Sequence, residues 1–107
     1  MTTSDQRTLQ QVAMPPEVHE GVKSLAEDAE CTMNEIYDEA VAWFLKDRAK
    51  RSFRYYVAST RRGKYTSMWL DSRLLNKVRV VAKRDAVSIN RVVYTALVLY
   101  LEDQEVI

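Results

Sequence analysis

The sequence predicts a mainly α-helical fold in which one strand–helix–helix unit occurs twice. The first observation is an internal repeat: residues 15–48, moved along by 56 positions, align with residues 71–104 without a gap. A repeat on this scale determines the architecture. The second is that the 107 residues include only two glycines and two prolines, which favours helices over tight turns. The third is that apolar residues recur at helical spacing in four separate segments.

The repeat also predicts how the chain is divided. We expect a first repeat over 8–48, a basic linker over 49–63 and a second repeat over 64–104. A unit of about 45 residues is close to the lower limit for burying a sufficient core alone. The two units are therefore expected to share one core.

In the first repeat, residues 8–14 are predicted to be extended and to end at Pro15 and Pro16. Proline disfavours helix in the residue before it and suits the first turn of a helix, so a helix is expected to begin near Pro16. Thr32 followed by Glu35 has the pattern of a capping box and predicts the start of a second helix. The apolar stripe of that helix consists of Met33, Ile36, Tyr37, Ala40, Val41 and Phe44.

The second repeat follows the same order. Residues 64–70 alternate and are rich in β-formers, which predicts a strand. Asp71 or Ser72 is expected to cap the next helix, and Ser88 the last one. The stripe of the last helix consists of Ile89, Val92, Val93, Ala96, Leu97 and Tyr100.

The net charge of +1 hides an uneven distribution. Residues 15–47 carry nine acidic and two basic side chains, whereas residues 48–64 carry seven basic side chains and no acidic one. Phe53, Tyr55 and Tyr56 lie among these seven cations. Basic and aromatic residues together are typical of nucleic-acid binding, but a solvated linker covering the edge of the core would look the same.

Several function classes are not expected. No apolar run reaches the roughly 18–20 residues of a membrane span, so no membrane partner is predicted. His19 has no cluster of metal ligands around it, and the chain lacks a glycine-rich phosphate loop and a nucleophile–base pair. We therefore predict no catalytic residue, metal or cofactor, and no enzyme. The single cysteine, Cys31, excludes an internal disulfide and predicts a cytoplasmic protein.

The strand–helix–helix order resembles the ribbon–helix–helix family, the Arc/MetJ superfamily of DNA-binding proteins. The matching motifs are a short strand running straight into a helix, at 12–17 and 68–73, and a Thr/Ser-x-Asn opening of the second helix, at 32–34 and 88–90. The resemblance covers 8–48 and 64–104, which is most of the chain.

Members of that family are usually homodimers whose paired strands form an antiparallel ribbon in the DNA major groove. The resemblance therefore implies a tandem ribbon–helix–helix protein. Its two copies would form a single-chain pseudo-dimer with a two-stranded antiparallel ribbon, and its partner would be double-stranded DNA.

The resemblance also implies which side chains face the bases. If Val12, Met14, Met68 and Leu70 point into the core, alternation places the opposite residues on the outside. These base-facing candidates are Leu9, Gln11, Ala13, Tyr65, Ser67 and Trp69. Among them, only Gln11 belongs to the usual base readers Arg, Lys, Asn and Gln. The aromatic residues Tyr65 and Trp69 depart from the pattern.

Phosphate contacts are expected at the start of each second helix, where free N–H groups favour an anion. The phosphate-binding candidates, including the cations beside the second strand, are Thr32, Asn34, Ser88, Asn90, Arg91, Arg61, Arg62 and Lys64. Glu30 and Glu35 flank the first of these helix starts, so stronger binding is expected at the second.

Two classes of function follow. The first is a DNA-binding protein, acting as a transcriptional regulator or as an accessory factor in conjugative or T-DNA transfer. The alternative is a protein-interaction module on the same fold, such as an antitoxin-like protein or an inhibitor that binds a protein partner. Tyr94, Val98 and Leu101 form a second apolar face on the last helix. This face serves either contact between the repeats or self-association of the protein on adjacent DNA sites.

Overall fold

A computed structural model describes residues 6–46, Tyr55 and residues 64–107 of the chain. The fold is mainly helical, with a two-stranded antiparallel sheet. Its elements, in order, are β1 (Arg7–Met14), α1 (Pro16–Ala29), α2 (Met33–Lys46), β2 (Lys64–Asp71), α3 (Ser72–Asp85) and α4 (Ile89–Asp103). Each strand extends the predicted one by a single residue. The bounds 8–48 and 49–63 predicted for the first repeat and the linker fall partly outside the described residues.

The start of each helix is marked by a proline or by a side chain that caps the helix. Pro15 precedes α1 without a side-chain cap, and Pro16 occupies the first turn. The Asp71 carboxylate accepts the N–H of Arg73 at 2.8 Å, which identifies Asp71 rather than Ser72 as the cap of α3. The hydroxyls of Thr32 and Ser88 each accept an N–H from three residues ahead, at 3.2 and 3.1 Å. Both are therefore N-caps.

One core lies between the sheet and the four helices. Helix α2 packs against α4, α1 packs against both of them, β1 packs against α4, and β2 packs against α2. The largest fully buried side chains come from both strands and all four helices: Val12, Met14, Val22, Tyr37, Val41, Phe44, Met68, Leu70, Leu75, Val78, Leu97 and Leu101. Because each strand packs on a helix from the other part of the chain, residues 6–46 (the first half) and residues 64–107 (the second half) complete one another's core.

Buried Gly21 shows how closely α1 approaches the end of α4. A Cβ at this position would lie 3.1 Å from a Leu101 methyl group and 3.3 Å from one of Val106. These contacts are tighter than most side chains tolerate, so a glycine lets the two helices approach closely.

Helices α1 and α3 both end in a left-handed residue that is not glycine. Glu30 and Ala86 each have a φ of 55°. The residue after each of them donates its N–H back into the helix, from Cys31 to Ala26 O at 2.9 Å and from Val87 to Ala82 O at 3.0 Å. This is the bond pattern of a Schellman motif, which glycine favours.

Replacing Ala86 with glycine is therefore expected to raise the free energy of unfolding. A non-glycine residue in the left-handed region costs about 1–2 kcal/mol, and the larger unfolded-state entropy of glycine offsets about 0.4–1 kcal/mol of the gain. Urea unfolding followed by circular dichroism measures the difference. Glu30→Gly should act in the same direction, while the control Ala82→Gly, inside α3, should destabilise by about 1 kcal/mol or more. A lower stability for Ala86→Gly would contradict the prediction.

Candidate nucleic-acid interface

The outer face of the ribbon is the side turned away from the core. Alternation along the strands places the six predicted residues there, together with the pair Arg7 and Asp71 at the end of the ribbon. The six are Leu9, Gln11, Ala13, Tyr65, Ser67 and Trp69. Gln11 and Ser67 are exposed, as are the larger side chains of Leu9, Tyr65 and Trp69, which are 45%, 63% and 48% exposed. The core-facing residues Val12, Met14, Met68 and Leu70 are at most 1% exposed.

Ala13 differs from the expectation of an open position, because it is only 8% exposed. In the strand register it lies directly opposite Tyr65. Directly opposed residues have Cβ atoms only about 4.5–5.5 Å apart, so a large aromatic side chain stands beside a single methyl group. Tyr65, rather than Ala13, therefore supplies the accessible surface at this end of the ribbon.

The register places polar residues at the centre of the outer face. Gln11 pairs with Ser67, Leu9 with Trp69 and Ala13 with Tyr65. The two residues of the central pair are separated by 56 positions, the interval of the sequence repeat. The outer face thus has an amide and a hydroxyl in the middle, a leucine–tryptophan pair at one end and a tyrosine at the other.

The backbone of Trp69 is held by a ribbon clamp made of Arg7, Asn34 and Asp38. The Trp69 N–H donates to Asn34 Oδ1 at 3.2 Å, and Arg7 donates to the Trp69 carbonyl at 2.8 Å. Arg7 also pairs with Asp38 Oδ2 at 2.8 Å, while Asp38 Oδ1 accepts the N–H of Asp71 at 3.0 Å. Side chains from β1 and α2 therefore fix one end of β2.

This clamp was not evident in the sequence. Arg7 precedes the predicted strand, and the positions equivalent to Asp71 and Asp38 in the repeat are Pro15 and Tyr94. Proline has no N–H to donate, and a tyrosine ring cannot take the place of a carboxylate. On the other strand, Asn90 Oδ1 instead accepts a hydrogen bond from the Gln10 side chain at 3.3 Å.

The N-termini of α2 and α4 are the predicted phosphate contacts. Thr32 and Ser88 are exposed and use their hydroxyl oxygens as caps, so each hydroxyl proton can still be donated to an anion. The side-chain oxygens of Asn34 and Asn90 are bonded to the ribbon. This structural role accounts for an asparagine in both helices, and it leaves the amide NH₂ of each as the donor that a phosphate would use.

The electrostatic surroundings of the two helix N-termini differ. Exposed Glu30 and Glu35 lie beside the start of α2, whereas exposed Lys83 precedes the start of α4. Arg91, in the first turn of α4, is half-buried, and its Nε is buried without a hydrogen-bond partner among the described residues. An anion is therefore favoured at α4 over α2.

Comparison with protein-family models, with curated proteins and with solved structures found no match for this chain.

Much of the basic segment, including Arg61 and Arg62, lies outside the described residues. Lys64 begins β2, and its Cα pairs with that of Met14. Tyr55 is the one described residue between α2 and β2: it packs against the core and donates to Asp85 at 2.5 Å. Arg84 and then Tyr55 hold the pKa of Asp85 down at about 2, and burial together with Asp85 raises the pKa of Tyr55 well above its usual range.

The second apolar face of α4 is used inside the molecule. Tyr94, Val98 and Leu101 are 9%, 6% and 0% exposed and belong to the core. Trp43 makes an edge-to-face contact with Tyr100, with the ring centroids 5.6 Å apart. These residues therefore give no surface for self-association. Self-association on adjacent DNA sites stays a prediction, and it would have to use other residues.

A cleft lies beside the ribbon, at the start of α1. His19 and Glu20 border an open cleft of about 470 Å³ together with Met14, Pro16, Tyr65 and Thr66. Within the described ranges, no three His, Cys, Asp or Glu side chains are arranged to hold a metal ion. None of the described helices has both the length and the hydropathy of a membrane span.

Proposed function

We propose that this chain is a tandem ribbon–helix–helix protein that inserts its two-stranded ribbon into the major groove of double-stranded DNA. The observation that carries the proposal is the exposed outer face of an antiparallel ribbon with Gln11 and Ser67 paired at its centre. The major groove, about 12 Å wide, admits a two-stranded β-ribbon.

Positions 56 residues apart perform the same task, and this supports a pseudo-dimer. Thr32 and Ser88 both cap the second helix of their half. Glu30 and Ala86 both have a φ of 55°. A lone strand–helix–helix unit would leave its strand unpaired and its apolar faces open, and the second copy supplies both partners. Joining the copies in one chain makes this assembly independent of protein concentration.

The chemistry of the outer face suits base readout at its centre. A glutamine amide can make two hydrogen bonds to N6 and N7 of adenine, and a serine hydroxyl bonds to several bases. The capped N-terminus of α4, with its first N–H groups unbonded within the helix, favours a phosphate beside the groove. Glu30 and Glu35 disfavour the same contact at α2.

Two biological roles fit a ribbon whose halves differ. A single chain with unlike strands suits a DNA site that is not palindromic. Such a site occurs in transcriptional regulation and also near a transfer origin, where an accessory factor of conjugative or T-DNA transfer would act in the cytoplasm. Genes for a relaxase and a coupling protein beside this gene would favour transfer, and an adjacent regulated operon would favour a regulator.

Fluorescence anisotropy with a randomised duplex pool at two salt concentrations tests the proposal, with the bound fraction recovered and sequenced. Salt-sensitive binding and an enriched motif are expected. Failure to bind duplex DNA at low salt would overturn the proposal.

Two sets of variants separate base contacts from phosphate contacts. The double variant Arg61→Ala/Arg62→Ala should weaken binding to every DNA sequence alike. The slope of log affinity against log salt concentration should fall by about two, one for each phosphate that is no longer neutralised. Gln11→Ala should erode the preference at one position by about 1–3 kcal/mol. Gln104→Ala, in an exposed position after α4, is the matched control. It should change neither the affinity for DNA nor the base preference. Unchanged binding in both sets would contradict the contact assignments.

A protein-interaction module is the second candidate, and the exposure of Leu9, Tyr65 and Trp69 favours it. Aromatic residues are enriched in protein interfaces. This candidate predicts weak, salt-insensitive DNA binding beside one tight protein partner in a pull-down. Loss of that partner in a Trp69→Ala variant would place the interface on the outer face of the ribbon.

A further inference from the structure

We infer that the Leu9–Trp69 end of the ribbon reads thymine methyl groups, so that the DNA site carries thymine on one side of its centre. This inference rests on the proposed function. It specifies which DNA sequences the outer face of the ribbon selects. It also fixes the direction in which the protein lies on its site.

Leu9 and Trp69 form one apolar surface. The Trp69 N–H and C=O bond to Asn34 and Arg7, so both point away from β1. Leu9 and Trp69 are therefore a non-hydrogen-bonded pair, in which the Cα atoms approach to about 4.5 Å and the side chains are closest. The two side chains remain 45% and 48% exposed.

The ribbon clamp orders the backbone of this surface before any partner binds. Arg7 and Asn34 fix the Trp69 backbone on both of its polar atoms, and Asp38 fixes Arg7 and the N–H of Asp71. A contact surface that is already ordered loses less conformational entropy on binding.

The opposite end of the ribbon offers different chemistry. Ala13 is 8% exposed, and Tyr65, at 63%, presents a phenol ring with a hydroxyl group. A hydrogen-bonding group at one end and an apolar surface at the other make the two halves of the site unequal.

The outer face at the Leu9–Trp69 end is apolar, and the nearby carboxylates lie on α2 and at the end of β2. The outer face carries no carboxylate between Leu9 and Ala13 or between Tyr65 and Trp69. Two of these carboxylates are each paired with an arginine, Asp38 with Arg7 at 2.8 Å and Asp71 with Arg73 at 3.3 Å. Exposed Glu30 and Glu35 at the start of α2 also lie near this end, because Asn34 bonds to Trp69. The phosphate contacts are therefore expected at α4, and the contact at Leu9 and Trp69 is with the bases.

The base edges of the major groove include one apolar group that Leu9 and Trp69 can contact. Among the base edges there, only thymine presents a methyl group, and apolar side chains are its usual partners. Two residues along a strand span about 6.7 Å, close to two base-pair steps of about 3.4 Å each. The thymine is thus expected about two base pairs from the base that contacts Gln11, on one side only.

Replacing thymine with deoxyuridine removes this methyl group alone and so tests the inference. The duplex recovered from the pool selection is synthesised with deoxyuridine at each thymine in turn. Its affinity is then measured for the wild-type protein and for the variant Leu9→Ala/Trp69→Ala, whose folding is checked by circular dichroism. Tyr65→Phe, which removes only the hydroxyl at the other end, is the matched control.

At one position near the centre, deoxyuridine is expected to weaken wild-type and Tyr65→Phe binding about four-fold, which corresponds to one methyl group no longer buried. The double variant should bind the two duplexes equally. Equal wild-type affinity for both duplexes at every position would overturn the inference and leave the proposed function standing. A deoxyuridine effect that persists in the double variant would overturn it as well, because the methyl group would then act elsewhere. Failure to bind any duplex at low salt would remove the proposed function, and the inference with it.

Discussion

Replacing Phe44 with alanine is expected to lower the free energy of unfolding by about 3–5 kcal/mol. Phe44 is fully buried in the one core that both halves of the chain build. Truncating a buried phenylalanine removes apolar packing and leaves a cavity that its neighbours only partly fill. A change of this size is a large part of the total stability of a small domain. Urea unfolding followed by circular dichroism measures it.

The same variant tests whether the two halves unfold together. Trp43 lies in α2 and Trp69 in β2, and they are the only tryptophans in the chain. With Trp43→Phe and Trp69→Phe backgrounds, each remaining tryptophan reports on one half. Phe44→Ala should shift both fluorescence transitions equally. Val80→Ala, at a side chain that is 69% exposed, is the apolar control and should change stability by less than about 0.5 kcal/mol. A shift confined to Trp43 would show that the halves unfold separately.

Replacing Asp38 with alanine is expected to destabilise the protein by about 1.5–3 kcal/mol, the usual range for hydrogen bonds to charged groups. The variant leaves Arg7 without its carboxylate and the Asp71 N–H without an acceptor. The ion pair alone supplies only the smaller part of this effect, because Arg7 and Asp38 are 34% and 20% exposed and solvent screens them. Urea unfolding with Trp69 fluorescence measures the effect.

Asp38→Asn separates the two contributions, since an amide oxygen can still accept the Asp71 N–H but cannot pair with Arg7 as an ion. A smaller destabilisation than that of Asp38→Ala is expected for this variant. Asp28→Ala, an exposed acidic position on α1, makes the same chemical change and should be close to neutral. A destabilisation by Asp38→Ala no greater than that by Asp28→Ala would contradict the prediction.

The secondary structure could be predicted from the sequence because its signals are local. Pro16, Thr32 and Ser88 mark helix starts through their own backbone and side-chain chemistry, and the apolar stripes have the period of the elements that they form. The left-handed ends at Glu30 and Ala86 could not be predicted, because neither residue is the glycine that usually marks such a conformation.

The candidate site was less predictable because it depends on residues far apart in the chain. Alternation along the strands indicated the outer face, but it could not show that Tyr65 lies opposite Ala13 and that Ala13 is covered. The ribbon clamp joins residues as far apart as Arg7 and Trp69, which are separated by 62 positions. Its members at Arg7 and Asp38 break the repeat rather than follow it, so no periodic signal reveals them.

The ribbon clamp also affects how the sheet can grow. An exposed strand edge presents unpaired N–H and C=O groups that can recruit a strand from another molecule, which is a route to aggregation. On β2, the Trp69 N–H, the Trp69 C=O and the Asp71 N–H are already bonded to side chains. A third strand could not pair there without displacing Arg7, Asn34 and Asp38. The side chains that position the ribbon thus also keep it two-stranded along this stretch of its edge.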